Sequence, residues 1–179
     1  MDFTEKTVKE SLIFDGRILH LYNDEIELPN GKPAMREYIR HQGAVCVVPV
    51  TADGKVILVD QYRYPFHPIV REVPAGKLDK GETPEQGARR ELEEETGVTG
   101  GELTFLGEFY SSPAIMTEVI YMYMATGFTM GKPHTDPDEF VEVVELPLED
   151  AVDAIMRGEI KDSKTQAAVL KTAVLLHKI

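Results

Sequence analysis

Glu91, Glu94 and Glu95 stand in the run Arg-Arg-Glu-Leu-Glu-Glu-Glu-Thr-Gly at 89–97. At about 3.6 residues per helical turn, positions three and four apart share a face, so a helix here crowds three carboxylates together. Three such groups repel one another unless a cation sits among them. Hard oxygen ligands on one face suit Mg²⁺, with Mn²⁺ possible. Charge runs more often face water, but this one is short and framed by glycines. Other chemistries lack support: His20, His41, His67, His134 and His177 are scattered without zinc-ligand spacing, and no nucleophilic serine or cysteine motif is visible.

Local signals frame the helix that must carry these residues. Thr83 is an N-cap, Pro84 takes the first helical position, and Gln86 completes a Thr-x-x-Gln capping box. Gly97 suits a left-handed C-cap. Before this stretch, 44–50 and 56–60 read as buried strands joined by Thr51-Ala52-Asp53-Gly54, and 69–74 as a strand leading into the helix. After it, 103–110, 118–128 and 140–146 read as strands, followed by helices over 148–157 and 163–178 with Ser163 as N-cap. The first 41 residues read as a three-stranded unit over 7–14, 17–28 and 32–41, with turns at Asp15-Gly16 and Asn30-Gly31. So small a sheet buries little alone and must pack on the main domain or on a second subunit. The order predicts an α/β sandwich, with a mixed sheet between helices, preceded by a small antiparallel sheet. The division falls as 1–42 and 43–179.

The chain of 179 residues is long enough for a substantial core. Its net charge of −12 argues against nucleic-acid binding, which needs a basic surface. The same charge opposes any anionic substrate, so metal ions and local arginines would have to reverse the sign at the site. No apolar run approaches a membrane span, and the Met-Asp-Phe-Thr-Glu-Lys opening has no secretory h-region. The lone cysteine, Cys46, lies in an apolar strand and reads as core packing. These features fit a cytoplasmic enzyme.

From Gly76 to Val98 the chain matches the Nudix box, G-x5-E-x7-R-E-U-x-E-E-x-G-U with U aliphatic, through Gly76, Glu82, Arg90, Glu91, Leu92, Glu94, Glu95, Gly97 and Val98. The resemblance to the Nudix hydrolases implies an αβα sandwich and metal-dependent cleavage of a diphosphate. It implies Glu91 and Glu95 as main metal ligands, Glu94 as an added or second-metal ligand, and the Ala75 carbonyl as a further one. Arg90 is implied to hold a box carboxylate in place, and Glu82 to orient the loop or a metal-bound water.

Fragments outside the box resemble the ADP-ribose pyrophosphatase branch: Arg36-Glu37, His41-x-Gly43-Ala44-Val45, Gln61-Tyr62-Arg63-Tyr64-Pro65, Glu72-Val73-Pro74-Ala75-Gly76, and Ser111-Ser112-Pro113 with Glu118. Where that branch commonly has glycine after the proline, this chain has Ala114, then Ile115 and Met116. The branch implies hydrolysis of ADP-ribose to AMP and ribose 5-phosphate by a homodimer whose N-terminal sections complete the adenine pocket. Arg36 and Arg63 are then phosphate or adenine-site candidates, although either could be a surface ion-pair residue. Tyr22, or nearby Tyr38, could stack the base. Glu118 is a substrate contact or a strand-start residue facing solvent. The acidic loop at 129–139 suits a lid carrying the base, with Glu139 first and Asp138 and Glu142 as alternates. The box alone also permits another nucleoside diphosphate sugar, a dinucleotide polyphosphate or a damaged nucleotide. A nucleotide-sensing module without turnover is the reading of a different class.

Overall fold

The computed structural model describes residues 2–135 and 140–179. The chain forms two compact units. One is the N-terminal stretch through Gly43 together with Tyr110–Val119; the other is Ala44–Phe109 with Ile120–Ile179.

The larger unit is organised by its apolar strands. In β5 (Ala44–Pro49), Cys46 and Val48 enter one core, while Val45 and Val47 enter a second. β6 (Lys55–Tyr62) divides likewise, with Val56 and Leu58 against Ile57, and so does β10 (Val119–Thr126), with Met122 and Met124 against Tyr123 and Ala125. Alternate residues of a strand point to opposite faces, so uninterrupted apolar strands need cover on both sides. Helix α1 (Pro84–Thr96) covers one side through Ala88 and Leu92. Helices α2 (Leu148–Met156) and α3 (Ser163–Leu175) cover the other through Leu148, Ala151, Ala168 and Val169. The result is an αβα sandwich.

Its strands lie in two groups. β5 sits between β8 (Ala75–Lys77), antiparallel, and β10, parallel, with β9 (Glu102–Tyr110) beyond β10. β6 sits between β7 (Ile69–Glu72) and β11 (Val141–Pro147), both antiparallel. The strand expected over 69–74 therefore ends at Glu72, and a separate short strand carries Ala75 and Gly76. Helix α3 starts from Asp162 rather than Ser163, because the Asp162 carboxylate accepts the Thr165 amide at 2.9 Å. A carboxylate is a strong acceptor at this end of a helix.

The smaller unit holds four strands, not three. β3 (His20–Glu27) pairs with β4 (Pro33–Arg40) through the Asn30-Gly31 turn, where Gly31 takes φ 77°. The expected strand over 7–14 is broken into β1 (Lys6–Lys9) and β2 (Leu12–Asp15), both on β3. The break falls where the Ser11 amide donates to the buried Asp24 carboxylate at 3.0 Å. Tyr110–Val119 joins this unit at the end of β4: the Ile39 amide donates to the Ile115 carbonyl and the Thr117 amide to that of Ile39.

Candidate active site

The carboxylates of α1 owe their placing to its two ends. Thr83 and Gln86 form the reciprocal capping box, with Thr83 N–H donating to Gln86 Oε1 at 2.9 Å. Gly97 closes the helix at φ 72°, and a Cβ there would also meet the backbone of Lys132 at 2.6 Å. Only glycine satisfies both demands.

Arg90 is the hub of the face. Its Nε and Nη2 each donate to Glu82 at 2.9 Å, Nη2 also reaches the Lys77 carbonyl, and Nη1 donates to Glu91 at 2.7 Å and Glu94 at 3.1 Å. Glu82 in turn accepts the Asp79 amide, which ties the loop before the helix to the same guanidinium. The Arg90 hydrogen bonds hold Glu82 below the usual carboxylate range, and donating to Glu82 raises Arg90. Glu95, 5% exposed, accepts the amide of Ala75 at 3.0 Å. Glu91 lies against Gly76 so closely that a Cβ on that residue would fall 2.0 Å from its carboxylate. Gly76 is thus a cradle that any side chain would fill.

This donor set fits a hard divalent cation. Three carboxylates, Glu82, Glu91 and Glu94, share one guanidinium, and Glu95 on the Ala75 amide adds a fourth, leaving a local negative excess made of oxygen donors alone. Among the described residues no three acidic, histidine or cysteine side chains are already drawn together as ligands. Glu91 and Glu94 lean instead on Arg90.

Arg63 lies in the same unit and is gripped by a residue sequence reasoning left without a role. Its Nε and Nη2 donate to the two oxygens of Glu72 at 2.6 and 2.8 Å. That bond chiefly raises the Arg63 guanidinium, with a further contribution from Glu95. Lys164 at the start of α3 also donates to Glu72 and pairs with Asp162 at 3.0 Å. Glu72 stood inside the quoted Glu-Val-Pro-Ala-Gly fragment, a usable signal. Lys164 had none, since 92 positions separate it from Glu72.

The remaining sequence candidates are placed as follows. Glu142 lies on β11 in register with Asp60, which is itself held by Arg71 at 2.7 Å. Glu139 and Asp138 lie outside the described residues. Arg36, Tyr22 and Glu118 belong to the smaller unit. Arg36 is paired with Glu5. Tyr22 stacks on Tyr38 at 5.4 Å, with the Arg40 guanidinium 4.0 Å from its ring centre. Glu118 lies 3.6 Å from His41 Nδ1, and that nitrogen accepts the Gly43 amide at 3.1 Å.

An αβα sandwich with a capped, arginine-tied carboxylate helix over a glycine cradle defines a class of hydrolase, and this chain belongs to it: the Nudix family. The NUDIX domain matches residues 40–168, and the nucleoside diphosphate sugar hydrolase N-terminal domain matches 5–39. The chain is 46% identical to the ADP-ribose pyrophosphatase of Bacillus subtilis (strain 168), covering 97% of each chain. It is 45% identical to the methanol dehydrogenase activator of Bacillus methanolicus, over 93% of this chain and 91% of that one. Identity is 36% to the GDP-mannose pyrophosphatase of Yersinia enterocolitica, over 82% and 83%. The fold is shared with a crystal structure of an ADP compounds hydrolase at TM-score 0.89 and 22% identity, covering 99% of this chain and 97% of that one. Nudix hydrolases work with a divalent cation. No helix among the described residues is long and apolar enough to cross a membrane.

Proposed function

We propose that this chain hydrolyses the pyrophosphate bond of ADP-ribose, giving AMP and ribose 5-phosphate, with Mg²⁺ and with Mn²⁺ able to serve. The observation that carries the reading is near full-length similarity to an ADP-ribose pyrophosphatase, in a chain whose box carboxylates are all present around Arg90. Glu91 and Glu95 would hold the cation, aided by Glu94 and the Ala75 carbonyl. When bound, it supplies Lewis acidity and positive charge for the diphosphate. Arg90 and Glu82 fix the helix against the loop and so set the carboxylates. Arg63 binds phosphate oxygens, and its charge matters in a chain of net charge −12. Glu139 is the assigned base for water attack, with Asp138 and Glu142 as alternates.

In this reading the section 1–42 serves dimerisation and the substrate pocket, and 43–179 is the hydrolase domain. Arg36, Tyr22 and Glu118 act at the nucleoside end. Phe3, Val8, Ile13, Phe14 and Ile18 are all more than half exposed. Apolar surface of that extent on a small sheet is what a second copy would cover. A free, buried Cys46 fits the reducing cytoplasm.

Chromatographic analysis of products from ADP-ribose, GDP-mannose and a diadenosine polyphosphate, each with Mg²⁺, tests the substrate. The highest kcat/KM is expected for ADP-ribose, with AMP and ribose 5-phosphate in equal amounts. Preference for GDP-mannose would move the assignment to the second group of relatives. Binding of ADP-ribose without turnover in either metal would make the chain a sensing module. Light scattering at micromolar concentration is expected to return a dimer mass, and a monomer would overturn the assignment of the exposed sheet.

A further inference from the structure

The Glu72 side chain is 3% exposed, yet two cations share it. Arg63 approaches from a cleft of about 500 Å³ lined also by Phe66 and Lys161, and remains 41% exposed there. Lys164 borders the same cleft but is more buried, at 13% exposure. Burial disfavours the Lys164 ammonium, but Asp162 and Glu72 outweigh it and raise the group. Had Glu72 only Arg63 for a partner, the buried carboxylate would consume that guanidinium's charge. Lys164 is a second cation on that carboxylate, shared with Asp162. The guanidinium then takes its orientation from a carboxylate that is itself held in place by Lys164.

The same turn of α3 holds the neighbouring backbone. Thr165 Oγ1 accepts the Val73 amide at 2.9 Å, and the Thr165 hydroxyl donates to Asp162 at 2.6 Å. One turn of helix therefore anchors the Glu72 side chain and the Val73 backbone, two residues before Ala75.

We propose that Lys164 is a positioning residue for Arg63: by fixing the Glu72 carboxylate, it sets the guanidinium for the substrate's diphosphate. This rests on the assignment of Arg63 as a phosphate ligand, which Arg63→Gln tests separately. Lys164→Met is expected to raise KM for ADP-ribose about tenfold while kcat stays within about threefold, the signature of lost uniform binding. Lys164→Arg, which keeps the charge, should restore KM. In an Arg63→Gln background Lys164→Met should add little, because both act through one contact. An Arg63→Gln variant with unchanged KM would sink the phosphate assignment itself. If Arg63→Gln raises KM while Lys164→Met leaves it alone, or if the two effects multiply fully, the positioning role is wrong. Thermal melting establishes that each variant folds. Should Lys164→Met fail to fold, Lys164→Gln keeps a donor without charge, and an unchanged KM there overturns the proposal equally.

Discussion

In the box-bearing unit one arginine serves three glutamates. Arg90 divides its donors among Glu82, Glu91 and Glu94, and Glu95 stands beside them on the Ala75 amide. In the smaller unit arginine and glutamate pair one to one, Arg36 and Arg40 of β4 with Glu5 and Glu10 at the ends of β1, strands whose side chains largely face water. The residue types are the same and the accounts of charge differ. One-to-one pairing closes the charge, leaving nothing to recruit a cation. Sharing one guanidinium among several carboxylates keeps them ordered and still short of positive charge. Apolar residues show a parallel contrast. The larger unit buries Val45, Val47, Leu58 and Leu148 almost completely, whereas among the described residues Ile26 is the one buried apolar side chain of the smaller unit. The larger unit carries its own apolar core, and the smaller one leaves most of its apolar side chains exposed.

The comparison can be broken at several points. Glu95→Gln removes charge from the shared cluster without changing its shape, and kcat should fall by orders of magnitude at unchanged melting temperature. Near-normal turnover would mean the cluster is structural decoration. Gly76→Ala forces Glu91 off its cradle, and a displacement of about 1 Å at a reacting site lowers kcat up to about a hundredfold. Retained activity would show that Glu91 has room to move.

Acid should discriminate between the units. Burial raises Glu72, but Arg63 and Lys164 outweigh it and leave the group lowered, while Arg90 lowers Glu82. A carboxyl lowered in the folded state contributes stability above its unfolded pKa, about 4.3, and loses it as pH falls through the folded value. Urea unfolding should therefore give constant stability from pH 7 to about 5 and a steep loss below about pH 4.3, shallower in Glu82→Gln. Lys164, raised in the folded state, keeps its contribution up to its unfolded pKa of about 10.4, so it adds no slope in this range. A flat profile down to pH 3 would contradict the ion-paired frame. Thr83→Ala removes the cap acceptor and should destabilise by about 1 kcal/mol in urea unfolding, with kcat falling less than for Gly76→Ala. The smallest effect is expected for Glu5→Ala, where a solvent-exposed pair is lost and the melting temperature should not move measurably.

Much of the first unit's site was legible because its signals are local. Thr83, Gln86 and Gly97 fix where α1 starts and stops, and a helical period then puts Glu91, Glu94 and Glu95 on one face. The αβα layering was legible too, since apolar strands with no polar alternation need cover on both faces. The break in the strand over 7–14 was not, because Asp24 causes it from the neighbouring strand. Nor was Asp162 as the cap of α3, where Ser163 offered an equally good local pattern. The docking of Tyr110–Val119 onto β4 depends on backbone pairing between segments about 75 residues apart, which no periodicity encodes.

By itself, then, the order of residues determined the helix that carries the carboxylates and the layers that bury it, because capping, period and alternation act over a few residues. Tertiary structure alone decided which charges are shared. Arg90 reaches back to Glu82 across a loop, Glu91 rests on a glycine from another strand, and Lys164 meets Glu72 from the far end of the chain. Those contacts follow from how the elements pack, and packing sets the electrostatics that a list of charged residues leaves open.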